Sequence, residues 1–378
     1  MGNYSTNWSL SKYKILKECE LKGVFNYYLA KKGQFENSPM FLRLAWRLKH
    51  LKNMYLLLGD LVHQVIESEI KTLYETGEVL NERKIKKELN DRIDDIYNQA
   101  KNGIELWYKD PKENQMLYEI YYDGDLTNAT KRLIKKKVDN CIEHFLQSKT
   151  LNDQIYTGRS KVMESEKFRS FYLEGIRVIL SADLIYYDDY NDLWGIVDWK
   201  TGKESAFDPV QLSIYGMYVE ARYGAKISDI IVTNEYLETG NSKSYIVDSS
   251  EINQVKTLVK QSVERIMKLE ANLGIRSDEM MDVFQKTENQ NVCERCNFKA
   301  ICLGNYRDKY INKFLTGIGK KGAGKEVKKG DIELMRELVH SGMPVDYEVE
   351  GFLEESLYAT EESYTYKSER FSEFLSRH

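Results

Sequence analysis

Asp198 and Lys200 stand two positions apart in residues 194–203, Trp-Gly-Ile-Val-Asp-Trp-Lys-Thr-Gly-Lys, a short apolar strand that breaks at Thr201-Gly202. Side chains alternate along a strand, so the acid and the amine share one face while Val197 and Trp199 take the other. Such a pair at the end of a half-buried strand is costly if packing is its only purpose. It suits a site that holds a metal ion and orients a water. Upstream, residues 171–173, 176–180 and 184–187 read as strand, and Asp188-Asp189-Tyr190-Asn191-Asp192 reads as a turn. Folding the hairpin about Tyr190-Asn191 sets Tyr187 against Trp194, Ile185 against Ile196 and Asp183 against Asp198. Directly opposed residues share a sheet face, with Cβ atoms roughly 5 Å apart. Two facing carboxylates repel unless a proton or a cation lies between them. A hard divalent ion such as Mg²⁺ or Mn²⁺ matches their oxygen ligands. Lys200 would then position the attacking water or offset charge building on a phosphate. By spacing alone, a surface hairpin with a solvated Asp/Lys pair explains the same residues about equally well.

Asp183, followed by a turn and then Ile196-Val197-Asp198-Trp199-Lys200-Thr201-Gly202, resembles the PD-(D/E)XK nuclease superfamily, and in particular its RecB-like branch. Gly59-Asp60-Leu61-Val62-His63 resembles the G-x-x-x-H helix motif of that branch, which implies His63 as an additional metal ligand. Gln211-Leu212-Ser213-Ile214-Tyr215 resembles its Q-x-x-x-Y helix motif, and Glu166 matches its upstream acidic residue. The resemblance thus implies catalytic roles for Glu166, Asp183, Asp198, Lys200, Gln211 and Tyr215. It implies metal ligation by His63, Asp183, Asp198 and the carbonyl of Trp199. One departure is visible: many relatives carry Gly-Arg before the first aspartate, where this chain has Leu180-Ser181-Ala182. Two residues have competing explanations. A lone histidine on a helix with Leu61, Val62, Val65 and Ile66 is often structural. Asp208-Pro209-Val210-Gln211 also reads as an N-cap, a first-turn proline and a capping-box glutamine, although Gln211 and Tyr215, four apart, share a helix face.

Cys293-x2-Cys296-x5-Cys302 has ligand spacing, because thiolates on one tight turn can grip a single centre. Cys19, far away near the N-terminus, is the candidate fourth ligand. This one-plus-three layout resembles the AddB-type and CRISPR-adaptation-type iron–sulfur nucleases, which implies a structural 4Fe-4S cluster clipping the chain ends together. Four thiolates also bind zinc, and ordinary reduced thiols are the plain alternative. Cys141 lies with Ile134, Val138, Ile142 and Phe145 at helical spacing and reads as core.

The elements that must position these residues follow in order. Helices bearing Cys19 and His63 come first. A helix-periodic insertion over about 71–155 follows, with an Ile85, Leu89, Ile93, Ile96 stripe and the basic run Lys131-Arg132-Leu133-Ile134-Lys135-Lys136-Lys137. The catalytic hairpin spans roughly 171–201. A helix from Asp208, strands near 230–232 and 245–247, and an amphipathic helix with Ile252, Val255, Leu258, Val259, Ile266 and Leu269 complete the pattern. The expected fold class is α/β: a restriction-endonuclease-like core of mixed central sheet flanked by helices, within an iron–sulfur nuclease domain over 1–310. Residues 311–330 read as a Gly/Lys-rich flexible linker. There, 319–325 fits G-x-x-x-x-G-K, but Glu326 stands where a phosphate loop needs Ser or Thr. Residues 331–378 form an acidic tail with twelve acids against four Lys/Arg, so residues 1–330 carry +4 although the chain totals −4. The acidic balance therefore does not exclude DNA.

With 378 residues, 42% apolar and 30% charged, the chain reads as a soluble globular protein with no membrane span and no signal core. Cysteines with metal spacing point to a reducing cytoplasm. The expected function is a Mg²⁺- or Mn²⁺-dependent deoxyribonuclease, an exonuclease of little sequence preference. The resemblance implies work in DNA end processing, recombination or repair, CRISPR adaptation or phage-related DNA degradation, with a helicase or other protein partner. The alternative is a non-catalytic DNA-binding or scaffold subunit that keeps the cluster. Loss of the acids or the lysine would mark that alternative, and all three are present.

Overall fold

The computed structural model describes residues 7–35, 38, 40–273 and 283–303. A short parallel ladder joins β1 (Leu51–Lys52) to β2 (Met116–Leu117). The centre is a five-stranded mixed sheet in sequential order: β3 (Ser160–Leu173), β4 (Ile176–Asp188), β5 (Leu193–Lys200), β6 (Ile230–Tyr236) and β7 (Asn241–Ile246). Among the described strands of this sheet, only β5 and β6 run parallel. A parallel pair needs a crossover, supplied here by the helix Asp208–Tyr223. The chain therefore has the expected α/β class, with helices packed about a mixed sheet.

The β4–β5 hairpin has the expected register, with Tyr187 opposite Trp194 and Ile185 opposite Ile196. The ladder ends at Leu184 opposite Val197, so Asp183 and Asp198 lie one step beyond the last pair. Past that point the N-terminal segment takes over the free edge of β4. Trp8 N–H donates to Arg177 O at 2.9 Å, and Ile179 N–H donates to Trp8 O at 2.8 Å. Gly195 is required by close approach, since a Cβ there would fall 2.0 Å from the Tyr186 ring across the ladder.

Two expectations are corrected. β5 is not half-buried: residues 195–199 are buried on both faces, because the strand pairs on both edges and helices cover each side. On one side Asp198 meets Gln211 of the Asp208–Tyr223 helix, and on the other Trp199 meets Phe145 edge-on, with centroids 5.9 Å apart. β3 begins at Ser160, well before the expected 171. Its first half alternates around Lys161, Glu164, Glu166, Lys167 and Arg169, charges that an edge strand tolerates and that mask the period-two signal.

The helix Glu82–Asn102 buries Ile85, Leu89 and Ile93, and Asn128–Leu146 buries Ile134, Val138, Cys141, Ile142 and Phe145. Each such apolar side chain contributes about 1.5–3 kcal/mol. Cys141 is core, and burial pushes its thiol up to about 12. Asp248 and Glu251 form a capping box that starts Ser249–Ala271, which packs on the crossover helix. Among the described residues no helix is long and apolar enough to cross a membrane. The 311–330 segment and the acidic residues 331–378 lie outside the described residues.

Candidate active site

The helix Met54–Thr76 buries Leu57, Leu58, Leu61, Val62, Val65 and Ile66, and that burial fixes the direction of His63 at the edge of the apolar face. Gly59, one turn earlier, gives clearance: a Cβ there would meet Thr201 Oγ1 at 3.1 Å. The helix thus passes close to the end of β5. His63 Nδ1 lies 2.9 Å from Glu166 Oε1 and 3.4 Å from Asp183 Oδ2. These three residues present one nitrogen and two carboxylate oxygens, all within 4.8 Å of one another. Glu166 reaches them from a strained backbone. Its φ is +46° in the middle of β3, a left-handed conformation that costs a non-glycine residue on the order of 1–3 kcal/mol.

Asp183 also accepts from Trp199 N–H at 2.7 Å, which ties the acid of β4 to the backbone of β5. Asp198 stands outside the His63–Glu166–Asp183 trio. Its Oδ1 accepts from Gln211 Nε2 at 3.0 Å, and Lys200 Nζ lies 2.5 Å from Oδ2. The contact at Oδ2 does not have hydrogen-bond geometry, leaving that buried oxygen without a hydrogen bond. Lys200 donates to Gln211 Oε1 at 2.7 Å; Gln211 Nε2 donates to the Tyr215 phenolic oxygen Oη at 2.7 Å, and Tyr215 O–H donates to Ser181 O at 2.6 Å. The structure therefore brings Asp198, Lys200, Gln211 and Tyr215 into one connected network. For Trp199 it shows the N–H on Asp183 and the indole directed to the opposite face.

The capping explanation of Gln211 fails. Phe207 occupies the N-cap position without a side-chain cap, and Asp208 lies inside the helix. The Asp208 carboxylate accepts instead from Ser205 N–H at 2.9 Å and Tyr236 O–H at 3.0 Å, with Lys200 Nζ 3.8 Å away. Asp208 is thus an acid near the site that its position before a proline disguised. Thr150 and Glu235 were also missed. Trp199 Nε1 donates to Glu235 Oε2 at 2.8 Å and Thr150 Oγ1 to Glu235 Oε1 at 2.7 Å, bracing the back of β5.

The electrostatics follow from three carboxylates facing two cations. Burial disfavours charge on His63, but Asp183 and Glu166 outweigh it and raise its pKa well above the usual value. Burial raises Asp198, and the charge of Asp183 adds to this against the pull of Lys200. Burial likewise disfavours the Lys200 ammonium, yet Asp198 beside it holds its pKa above the ordinary value. Burial and the two aspartates keep the Tyr215 phenol protonated. A pocket that holds a proton on a buried histidine attracts positive charge, and the same oxygens and nitrogen suit a divalent cation. Asp198 Oδ2, buried without a hydrogen bond, is a further oxygen of that kind.

The cysteines meet at the other end of the chain. Cys19 sits between the helices Leu10–Glu18 and Glu20–Val24, where its Sγ accepts from Lys22 N–H at 3.5 Å. Leu21 N–H donates to Gln285 O at 3.3 Å, and Phe25 packs on Phe298 with centroids 5.3 Å apart. Burial pushes Cys296 up to about 11 and Cys302 up to about 12; Cys296 lies within electrostatic reach of Cys19 and Cys293, and Cys302 within reach of Cys19, Cys293 and Cys296.

A comparison with curated proteins gives no match. The family model of the PD-(D/E)XK nuclease superfamily matches residues 7–303, a span that takes in His63, Glu166, Asp183, Asp198, Lys200, Gln211 and all five cysteines. The chain belongs to the PD-(D/E)XK nuclease superfamily.

Proposed function

We propose that this chain is a Mg²⁺- or Mn²⁺-dependent exonuclease that hydrolyses phosphodiester bonds of DNA in the cytoplasm. Its superfamily implies a nuclease that uses divalent metal. The observation that carries the finer reading is the adjacency of two groups: the His63–Glu166–Asp183 trio and the Asp198–Lys200–Gln211–Tyr215 network, joined by the Asp183 bond to Trp199 N–H. His63, Glu166 and Asp183 would hold the cation, with Asp198 and the carbonyl of Trp199 as further ligands. When bound, the cation supplies Lewis acidity toward the phosphate and lowers the pKa of a water. Lys200, kept as an ammonium by Asp198, offsets charge on the phosphate and orients the water. Gln211 holds both ends of that pair, and Tyr215 locks Gln211 to the backbone of β4. Phosphate contacts carry no base information, which supports low sequence preference.

The reading extends to a structural 4Fe-4S cluster on Cys19, Cys293, Cys296 and Cys302, supported by an all-thiol donor set drawn from both ends of the matched span. A helicase or other DNA-processing protein is the expected partner class. The deciding experiment is cleavage of end-labelled linear and circular DNA, single- and double-stranded, with Mg²⁺ or Mn²⁺. Linear substrates should be degraded from their ends, and Asp198→Ala or Lys200→Ala should abolish cleavage without altering the fold. Cleavage at the wild-type rate by either variant would defeat the site assignment.

A further inference from the structure

Where β5 leaves the edge of β4 and Trp8 takes over, a cavity of about 420 Å³ opens beside Gln211 and Tyr215. Its volume falls in the range of small-ligand sites, about 300–1,000 Å³. Ile179, Leu180 and Ile214 give it an apolar lining, and Phe168 of β3 stands on its margin. Phe168 is 81% exposed, a large aromatic left in water one strand away from the catalytic acids. Lys14, on the helix Leu10–Glu18, also lines the cavity. It makes no ion pair among the described residues, its ammonium lies 5.1 Å from the Phe207 ring, and it is within electrostatic reach of Lys200, Asp208 and Asp198. A cation without an ion pair among the described residues, a bare aromatic ring and an apolar lining against the wall of a phosphodiesterase site have a common ligand chemistry. They match the phosphate, the flat face of the base and the sugar carbon atoms of one nucleotide.

We propose that this cavity, with Lys14 on the phosphate and Phe168 against the base, holds one unpaired nucleotide of the DNA strand beside the scissile bond. The assignment rests on the nuclease reading above. A paired base is enclosed in the stack of a duplex and reaches a cavity only by leaving it. Stacking on an aromatic ring is tolerant of sequence, because every base has a π-face. The subsite therefore selects for unpaired strand without selecting for sequence. Lys14 and Phe168 reach it from separate elements, the first helix and the long β3 strand, so both elements have a reason to converge there.

The test is fluorescence anisotropy with the full chain in EDTA, using labelled oligo-dT about twelve nucleotides long and an abasic strand of equal length. Phe168→Ala should weaken oligo-dT binding about tenfold and leave binding of the abasic strand unchanged. Lys14→Ala should weaken both strands and reduce the slope of log affinity on log salt by about 0.7, the loss of one single-strand phosphate contact. Both variants binding oligo-dT with wild-type affinity and slope overturns the subsite. So does a Phe168→Ala loss that is equal on the abasic strand. Wild-type cleavage of DNA with Mg²⁺ separates the two failures. If the wild type cuts DNA while both variants bind normally, only the subsite falls; if the wild type neither binds nor cuts DNA, the nuclease reading falls and takes the subsite with it.

Discussion

His63 is the residue at which the acids of the site declare their demand for positive charge. Its pKa is raised by Asp183 and Glu166 against the opposing effect of burial, so the imidazole keeps its proton to higher pH than a free histidine. A histidine must be neutral to ligate a metal, and binding therefore releases its proton. Titration of the protein with Mn²⁺ by calorimetry in two buffers of different ionisation enthalpy should show release of about one proton at about pH 7. His63→Ala should reduce that release to what the raised carboxyls of Asp198 and Glu166 contribute, and a buffer-independent enthalpy in the wild type would exclude His63 as a ligand. Gln211 supports a second prediction at this scale. It touches Asp198, Lys200 and Tyr215, so Gln211→Ala should lower the cleavage rate on the order of tenfold to a hundredfold by misplacing Lys200. Substrate KM should change little, because the DNA contacts remain. A residue that served only to cap its helix would shift thermal stability and leave the rate alone.

At the scale of elements, Glu164 clamps β3 to the helix that carries Gln211. Its Oε1 accepts from Tyr218 at 2.8 Å and Tyr223 at 2.6 Å, and its Oε2 accepts from Arg169 at 2.7 Å. Burial pushes the carboxyl up, but these three donors outweigh it and hold the pKa below its ordinary 4.5. A depressed folded pKa means the stabilisation is complete above the unfolded value and is lost as pH falls through the folded one. Glu164→Gln should therefore cost roughly 2–3 kcal/mol in urea unfolding at neutral pH. The gap to wild type should narrow as the pH falls below 4.5; a gap constant over that range would show that charge has no part in the clamp. The sequence made some of this scale legible and hid the rest. The β4–β5 register could be counted because the turn at 188–192 is rich in Asp and Asn and both arms are apolar. The start of β3 could not, because its charged edge residues carry no apolar alternation. Nor could the bracing of Trp199 by Thr150 and Glu235, whose contacts cross 85 and 36 positions of chain. The placement of Glu166 depends on a single left-handed residue, which no local pattern announces. Gln211 was legible as a site residue through the resemblance of 211–215 to a Q-x-x-x-Y helix motif, and its capping alternative failed because the helix begins one residue earlier than the proline suggested.

At the scale of the whole molecule, the first helices and the 283–303 segment lean on each other through few polar bonds. Gln285 N–H donates to the Glu20 carboxylate at 3.1 Å and Leu21 N–H donates to Gln285 O at 3.3 Å, while Arg265 of the Ser249–Ala271 helix pairs with the same carboxylate at 2.7 Å. Exposed contacts of this kind are each worth about 1 kcal/mol or less. They are weak restraints for an element that positions Lys14 and the cavity wall. A metal centre on Cys19, Cys293, Cys296 and Cys302 would close a loop running almost the full matched length. By the loop-entropy relation, a single covalent closure of about 100 residues is worth roughly 4–5 kcal/mol, and the value grows only slowly with length. Such a centre would thus govern the docking of the chain ends more than the core sheet, which is held by its own ladders. Cys19→Ser should abolish or strongly reduce the broad brown absorption expected of a 4Fe-4S protein, lower the melting temperature and loosen the N-terminal helices to proteolysis, while β5 and its neighbours stay protected in hydrogen exchange. A colourless wild-type protein with stoichiometric zinc would replace the iron–sulfur assignment with a zinc one and leave the clip in place. A wild type with neither metal, as stable as Cys19→Ser, would remove the clip altogether, and the weak polar contacts would then have to hold the chain ends unaided.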